Sequence, residues 1–121
     1  MDLTEEQIEN FAKIAHDCNK SFCETIGDDS QQNWEDCSQA QKDSAITGVK
    51  FHASNPNSKA EDSHLSWFKQ KKEDGWVYGL IKIPDLKQHP CMVPFESLPE
   101  EEQMKDHLFR NIVHTLVFTK L

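Results

Sequence analysis

Ile8, Phe11, Ala12, Ala15, Cys18, Phe22 and Ile26 recur at intervals of three and four, the spacing that lines one face of an α-helix. The pattern predicts a first helix over 5–26, which Gly27 suits as a left-handed stop. A uniformly polar stretch from Asp28 to Asn33 follows. Ala45, Ile46, Val49 and Ala53 then predict a second helix over 39–54, closed at Asn55-Pro56 because the residue before proline avoids helical geometry. A third, over 59–72, presents His64, Leu65, Trp67 and Phe68 and ends before Asp74-Gly75. The last, over 99–118, carries two adjoining apolar rows: Met104, Leu108, Ile112, Leu116 and Phe109, Val113, Val117. So broad a stripe predicts the central helix of the core. Ser/Thr-x-x-Glu/Gln patterns at Thr4…Gln7, Ser38…Gln41, Ser58…Glu61 and Ser97…Glu100 mark the four starts as capping boxes.

Between Trp76 and Phe95 the period changes. Trp76-Val77-Tyr78 and Leu80-Ile81-Lys82-Ile83 are short β-type runs and Met92-Val93 a shorter one, interrupted by Pro84, Pro90 and Pro94. They predict irregular strands or a small hairpin. The expected fold class is α+β: mostly helical, about four helices packed with a small irregular β element, in a single domain over 1–121.

Composition narrows the function classes. A 121-residue chain buries roughly two-thirds of its unfolded surface, enough for one hydrophobic core. Its 36% apolar content predicts a modest one. The net charge of −8 argues against nucleic acid, because a phosphate backbone needs a basic face. The densest basic stretch, Lys69-Gln70-Lys71-Lys72, gives way at once to Glu73-Asp74 and suits one phosphate group or a solvated helix face. No run of about 18 apolar residues offers a membrane span. The acidic first 30 residues lack the basic start and apolar middle of a signal peptide, so a cytoplasmic location is expected. Cys18, Cys23, Cys37 and Cys91 are accordingly expected as reduced thiols.

Known catalytic and metal signatures are missing. There is no nucleophile elbow, Walker loop or Gly-rich cradle, so no enzyme activity and no cofactor are expected. His16 and Cys18 are too close to share a helical face, and His89 and Cys91 lack a partner pair, so no metal site is expected. Trp34-Glu35 after the polar loop reads as a loop anchor or as part of a pocket wall.

The segment 60–99 carries an ordered set of motifs. Ala60-Glu61-Asp62-Ser63-His64-Leu65-Ser66-Trp67 is followed by Asp74-Gly75-Trp76-Val77-Tyr78-Gly79, then by His89-Pro90-Cys91-Met92-Val93-Pro94-Phe95, and finally by Leu98-Pro99. This order resembles the ryanodine-receptor (RyR) repeat, with its "AE-x-x-H-x-x-W" helix, "GW-x-YG", "HP-x-LVP[FY]" and leucine-led last helix. The resemblance covers 58–118 and leaves 1–57 as an N-terminal helical extension. The whole chain is similar to stand-alone RyR-domain proteins of bacteria and phages. Met92 stands where Leu is usual, and Leu80-Ile81-Lys82-Ile83 where a more polar loop is common. The resemblance implies a regulatory or binding module rather than an enzyme, and a cleft between paired repeats able to accept an adenine nucleotide. A single-repeat protein could recover such a cleft as an isologous homodimer, unless the first 57 residues cover that surface and leave a monomer.

The residues themselves suggest the contacts. Trp76 and Tyr78 share one face of a short strand and read either as core anchors or as pocket walls. Base stacking on aromatic rings is worth ~1–3 kcal/mol per base. Lys71, Lys72 and Lys82 are near enough in sequence to neutralise a di- or triphosphate. If Leu65 and Phe68 fill the core side of the third helix, Trp67 is displaced from it by about 100–200° and free to stack. His64, three residues earlier, shares nearly the same face as Trp67 and could hydrogen-bond ribose or phosphate. His89 reads as a ligand contact or as a donor to a loop carbonyl. The expected ligand site is therefore His64, Trp67, Lys71, Trp76, Tyr78, Lys82 and His89. The expected function is binding of an adenine-nucleotide-like or ADP-ribose-like molecule. A protein–protein interaction module built on the same aromatics is the alternative, and an enzyme acting on a nucleotide derivative the third.

Overall fold

Four helices form where the periodicity places them. The computed structural model describes residues 3–119: α1 (Glu5–Thr25), α2 (Gln39–Ser54), α3 (Ala60–Glu73) and α4 (Glu100–Phe118), with two-residue strands β1 (Val77–Tyr78) and β2 (Gln88–His89) between α3 and α4. The chain is thus a mostly helical α+β domain.

Two helix starts are the expected capping boxes. The Gln7 N–H donates to Thr4 Oγ1 at 3.0 Å while the Thr4 N–H donates to Gln7 Oε1 at 2.9 Å. Ser38 and Gln41 repeat the exchange at 3.2 and 3.4 Å. The other two differ. α3 is capped at Lys59, whose N–H donates to Asp62 Oδ2 at 2.9 Å; an ammonium has no lone pair to offer in return. Ser58 is instead buried, its hydroxyl donating to the Asn55 carbonyl at 2.7 Å and meeting His52 Nδ1 at 2.8 Å. α4 is entered through Pro99, because Ser97 is held in a 3₁₀ turn (Phe95–Ser97). Glu100, Glu101 and Glu102 compensate by placing negative charge on the first turn of α4.

The core combines both halves of the chain: Ala12 and Ala15 of α1, Val49 of α2, Val113 and Val117 of α4, and Trp34 closing one side. Trp34 is 5% exposed and therefore anchors its loop. α2 approaches α4 closely at Gly48, where a Cβ would lie 2.8 Å from the Phe109 ring.

The β element is not a hairpin. β1 and β2 pair in parallel, Val77 with Gln88 and Tyr78 with His89. The chain reverses through a 3₁₀ turn (Pro84–Leu86) and the left-handed Lys87 at φ 50°, leaving one antiparallel bridge from Ile83 to Gln88. Leu80 and Ile81 form no strand and stand 84% and 70% exposed. Met92 and Val93 form none either. Pro90 and Pro94 flank them without N–H groups to give a ladder, and Met92 is buried as packing. Among the described residues no helix is long and apolar enough to cross a membrane.

Candidate functional site

α3 does not face the core as its apolar residues suggest. Leu65 is 48% exposed, and buried His64 takes the inward position. Its Nε2–H donates to the Val93 carbonyl at 2.7 Å, a partner that arrives from 29 residues away. Leu65, one residue on and about 100° around the helix, is turned to solvent. Phe68, four residues after His64, is the half-buried packing residue of this face.

From His64 a row of rings runs outward. Trp67 stacks on His64 with centroids 5.6 Å apart and planes 27° off parallel. His89 stands edge-on to Trp67 at 5.0 Å and to Trp76 at 6.1 Å. Lys71 lies over the Trp76 ring, its Nζ 5.1 Å from the centroid. Trp67, Lys71, Trp76, Lys82 and His89 all line one groove of about 730 Å³. Two expected residues are not among its lining residues. His64 lies beneath Trp67 with its polar atoms turned to Val93 and Asp106, and Tyr78 is 52% exposed. Of the two readings of the strand aromatics, then, Trp76 is a groove wall and Tyr78 neither wall nor core.

The groove is electropositive at its Lys71–Lys82 end. Neither lysine forms an ion pair among the described residues. Burial lowers the Lys71 pKa and repulsion from Lys82 lowers it further. Burial, then Lys82 and Lys71, hold His89 down at about 4, so its ring is neutral at physiological pH. Its Nδ1 accepts the Cys91 N–H at 3.0 Å, which puts the proton on Nε2 and leaves a donor for a ligand. Two ammonium groups held together with a neutral N–H donor make an environment for an anion.

Asp106 of α4 lines the same groove and was not among the expected residues. Burial, reinforced by Glu102, raises its pKa to about 7. Its Oδ2 is 3.8 Å from His64 Nδ1, at the outer limit of an ion pair and too long for a hydrogen bond. A signal for it exists in the sequence. Asp106 sits three residues before Phe109 and so prolongs the apolar row of α4, where an unpaired acid is out of place. The opposite wall comes from the first 57 residues, through His16 and Asn19 of α1 and Gln41 and Ser44 of α2. No periodicity argument brings those residues to this groove.

Among the described residues no group of three or more His, Cys, Asp or Glu side chains could hold a metal ion. All four cysteines are free thiols.

These features define a small helical α+β domain with one aromatic, lysine-lined groove. The family model of the RyR domain matches residues 50–121, and the chain belongs to that family. The match begins eight residues before the 58–118 segment read from the motifs and takes in the last turns of α2, including the buried His52.

Proposed function

We propose that this RyR domain is a non-catalytic binding module that takes an adenine-nucleotide-like or ADP-ribose-like molecule in the groove along α3. The observation that carries the reading is the conjunction of Trp67 and Trp76 with the unpaired Lys71 and Lys82 in a single groove. Stacking is tolerant of base identity, and the half-buried Lys71 with the exposed Lys82 supplies the phosphate end. Calorimetry with AMP, ADP and ADP-ribose tests it. At least one should bind, and Trp67→Ala should weaken that ligand tenfold or more, the equivalent of about 1.4 kcal/mol. Absence of binding by all three, or unchanged binding by a folded Trp67→Ala protein, removes the reading.

A second reading, protein–protein contact, is favoured by a separate surface. Val77, Tyr78, Leu80, Ile81, Ile83 and Leu86 are 36–84% exposed within one loop. At roughly 100 Å² each they approach the ~800 Å² that a stable interface buries per partner. We propose a second copy of the chain as the occupant: Asp85 lies between Lys82 and Lys87 in the same loop, so a two-fold pairing of this patch can set lysine against aspartate. Light scattering should show a dimer that Leu80→Asp dissociates; a monomer at high micromolar concentration excludes it.

A further inference from the structure

His64, Trp67 and Lys71 lie at intervals of three and four along α3, on one face of the helix. The rise from His64 to Lys71 is roughly 10 Å. The groove is therefore ordered along this face. The ammonium groups of Lys71 and Lys82 stand at one end and the Trp67 ring in the middle. The Asp106 carboxyl stands at the His64 end, its Oδ2 3.8 Å from His64 Nδ1. A purine nucleotide has the same order over a similar length: phosphate, then the stacked base, then the hydrogen-bonding edge of that base. With its phosphate on the lysines and its base on Trp67, that edge faces the Asp106 end of the groove. Resting on the nucleotide reading, we propose that Asp106 is the base-selecting residue of the groove, its carboxyl group pairing with the adjacent donor and acceptor on the edge of adenine.

The chemistry requires a group that both donates and accepts. A neutral carboxyl does so: its O–H donates to adenine N1 while its carbonyl oxygen accepts from the exocyclic N6 amine. The ionised form only accepts. The site makes the proton easier to keep than on a solvated carboxyl. Burial and Glu102 act against ionisation, and Lys105 acts for it. The other titratable groups around it are His64 from α3, Cys91 after β2 and, beyond Lys105, Cys23 and Asp28. The Nε2–H of His64 is committed to Val93, so its Nδ1 cannot supply a proton to the ligand without gaining one.

Two nucleotides with the same phosphate isolate the effect: AMP and purine riboside 5′-monophosphate, which lacks the exocyclic amine. Wild-type protein should bind AMP on the order of tenfold more tightly at pH 6, the loss expected when one buried hydrogen bond goes unmade. That preference should shrink at pH 8, where Asp106 ionises. Asp106→Asn, whose amide also donates and accepts, should keep the preference and lose its pH dependence. Asp106→Leu should bind both ligands alike. Equal wild-type affinities for the two nucleotides, or a preference that survives in Asp106→Leu, overturn the role of Asp106 while leaving nucleotide binding intact. Binding of neither nucleotide overturns the role of Asp106, and failure of ADP and ADP-ribose as well overturns the nucleotide reading with it. The wild-type comparison needs no variant to fold.

Discussion

Adding one methyl group at Gly48 tests the contact between α2 and α4. A Cβ built there lies 2.8 Å from Phe109 Cζ and 2.9 Å from Cε1. Unstrained carbon contacts sit near 3.5–4.0 Å, so the ring must retreat by roughly 0.7–1 Å. The His52 ring bounds that retreat on one side, with centroids 6.1 Å apart. Overpacking of this kind costs ~1–3 kcal/mol. Against it, alanine is favoured over glycine inside a helix by about 1 kcal/mol. Gly48→Ala should therefore be destabilised by about 1 kcal/mol net, lowering Tm by about 4 °C in a domain of this size. Urea titration should show a lower midpoint at unchanged slope. The decisive comparison is the double mutant. In a Phe109→Leu background the obstruction is gone, helix propensity alone remains, and Gly48→Ala should then stabilise. A Gly48→Ala protein as stable as wild type, or equally destabilised with Leu at 109, would show that the ring does not set the approach of these helices.

Acid should unfold the protein through a buried imidazole pair. His52 is fully buried, with Nδ1 at 2.8 Å from Ser58 Oγ and 2.9 Å from His114 Nε2, and its Nε2 has no partner. Burial, then the neighbouring His114 and Arg110, lower the His52 pKa from 6.5 to about 4, and burial lowers that of His114 as well. The unfolded chain thus binds protons that the folded chain refuses. The His52 contribution is complete above pH 6.5 and is lost toward pH 4 at up to about 1.4 kcal/mol per unit, with His114 acting in the same direction; a Tm unchanged between pH 7 and pH 5 contradicts this. Cysteine labelling should be ordered by burial. Cys18 is exposed, whereas burial and Glu102 push the Cys91 thiol up to about 12. Alkylation of native protein at pH 8 followed by mass spectrometry should find Cys18 modified first and Cys91 protected, with all four reacting in denaturant; equal rates for Cys18 and Cys91 refute the packing around Cys91.

The helices were legible because their causes are local. Apolar spacing, two capping boxes and the Asn55-Pro56 stop act within a few residues, and α2 ends at Ser54 as the pattern requires. The motif order between 60 and 99 was sufficient to reach the RyR family, and five of the seven expected site residues share one groove. What the sequence left open depends on partners far along the chain. Ser58 and Ser97 look like caps by spacing. Yet Ser58 is drawn inward by His52 and His114, the latter 56 residues away, and Ser97 by a turn that Pro94 initiates. Leu65 is more apolar than His64, but only the histidine can donate to the half-buried Val93 carbonyl, so it takes the inward place. The parallel pairing of β1 with β2 needs a chain reversal that strand propensity cannot reveal. Asp106 and the wall contributed by α1 and α2 entered the groove for the same reason: periodicity assigns a side chain to a face of its own helix, whereas the packing of one helix against another decides what that face meets.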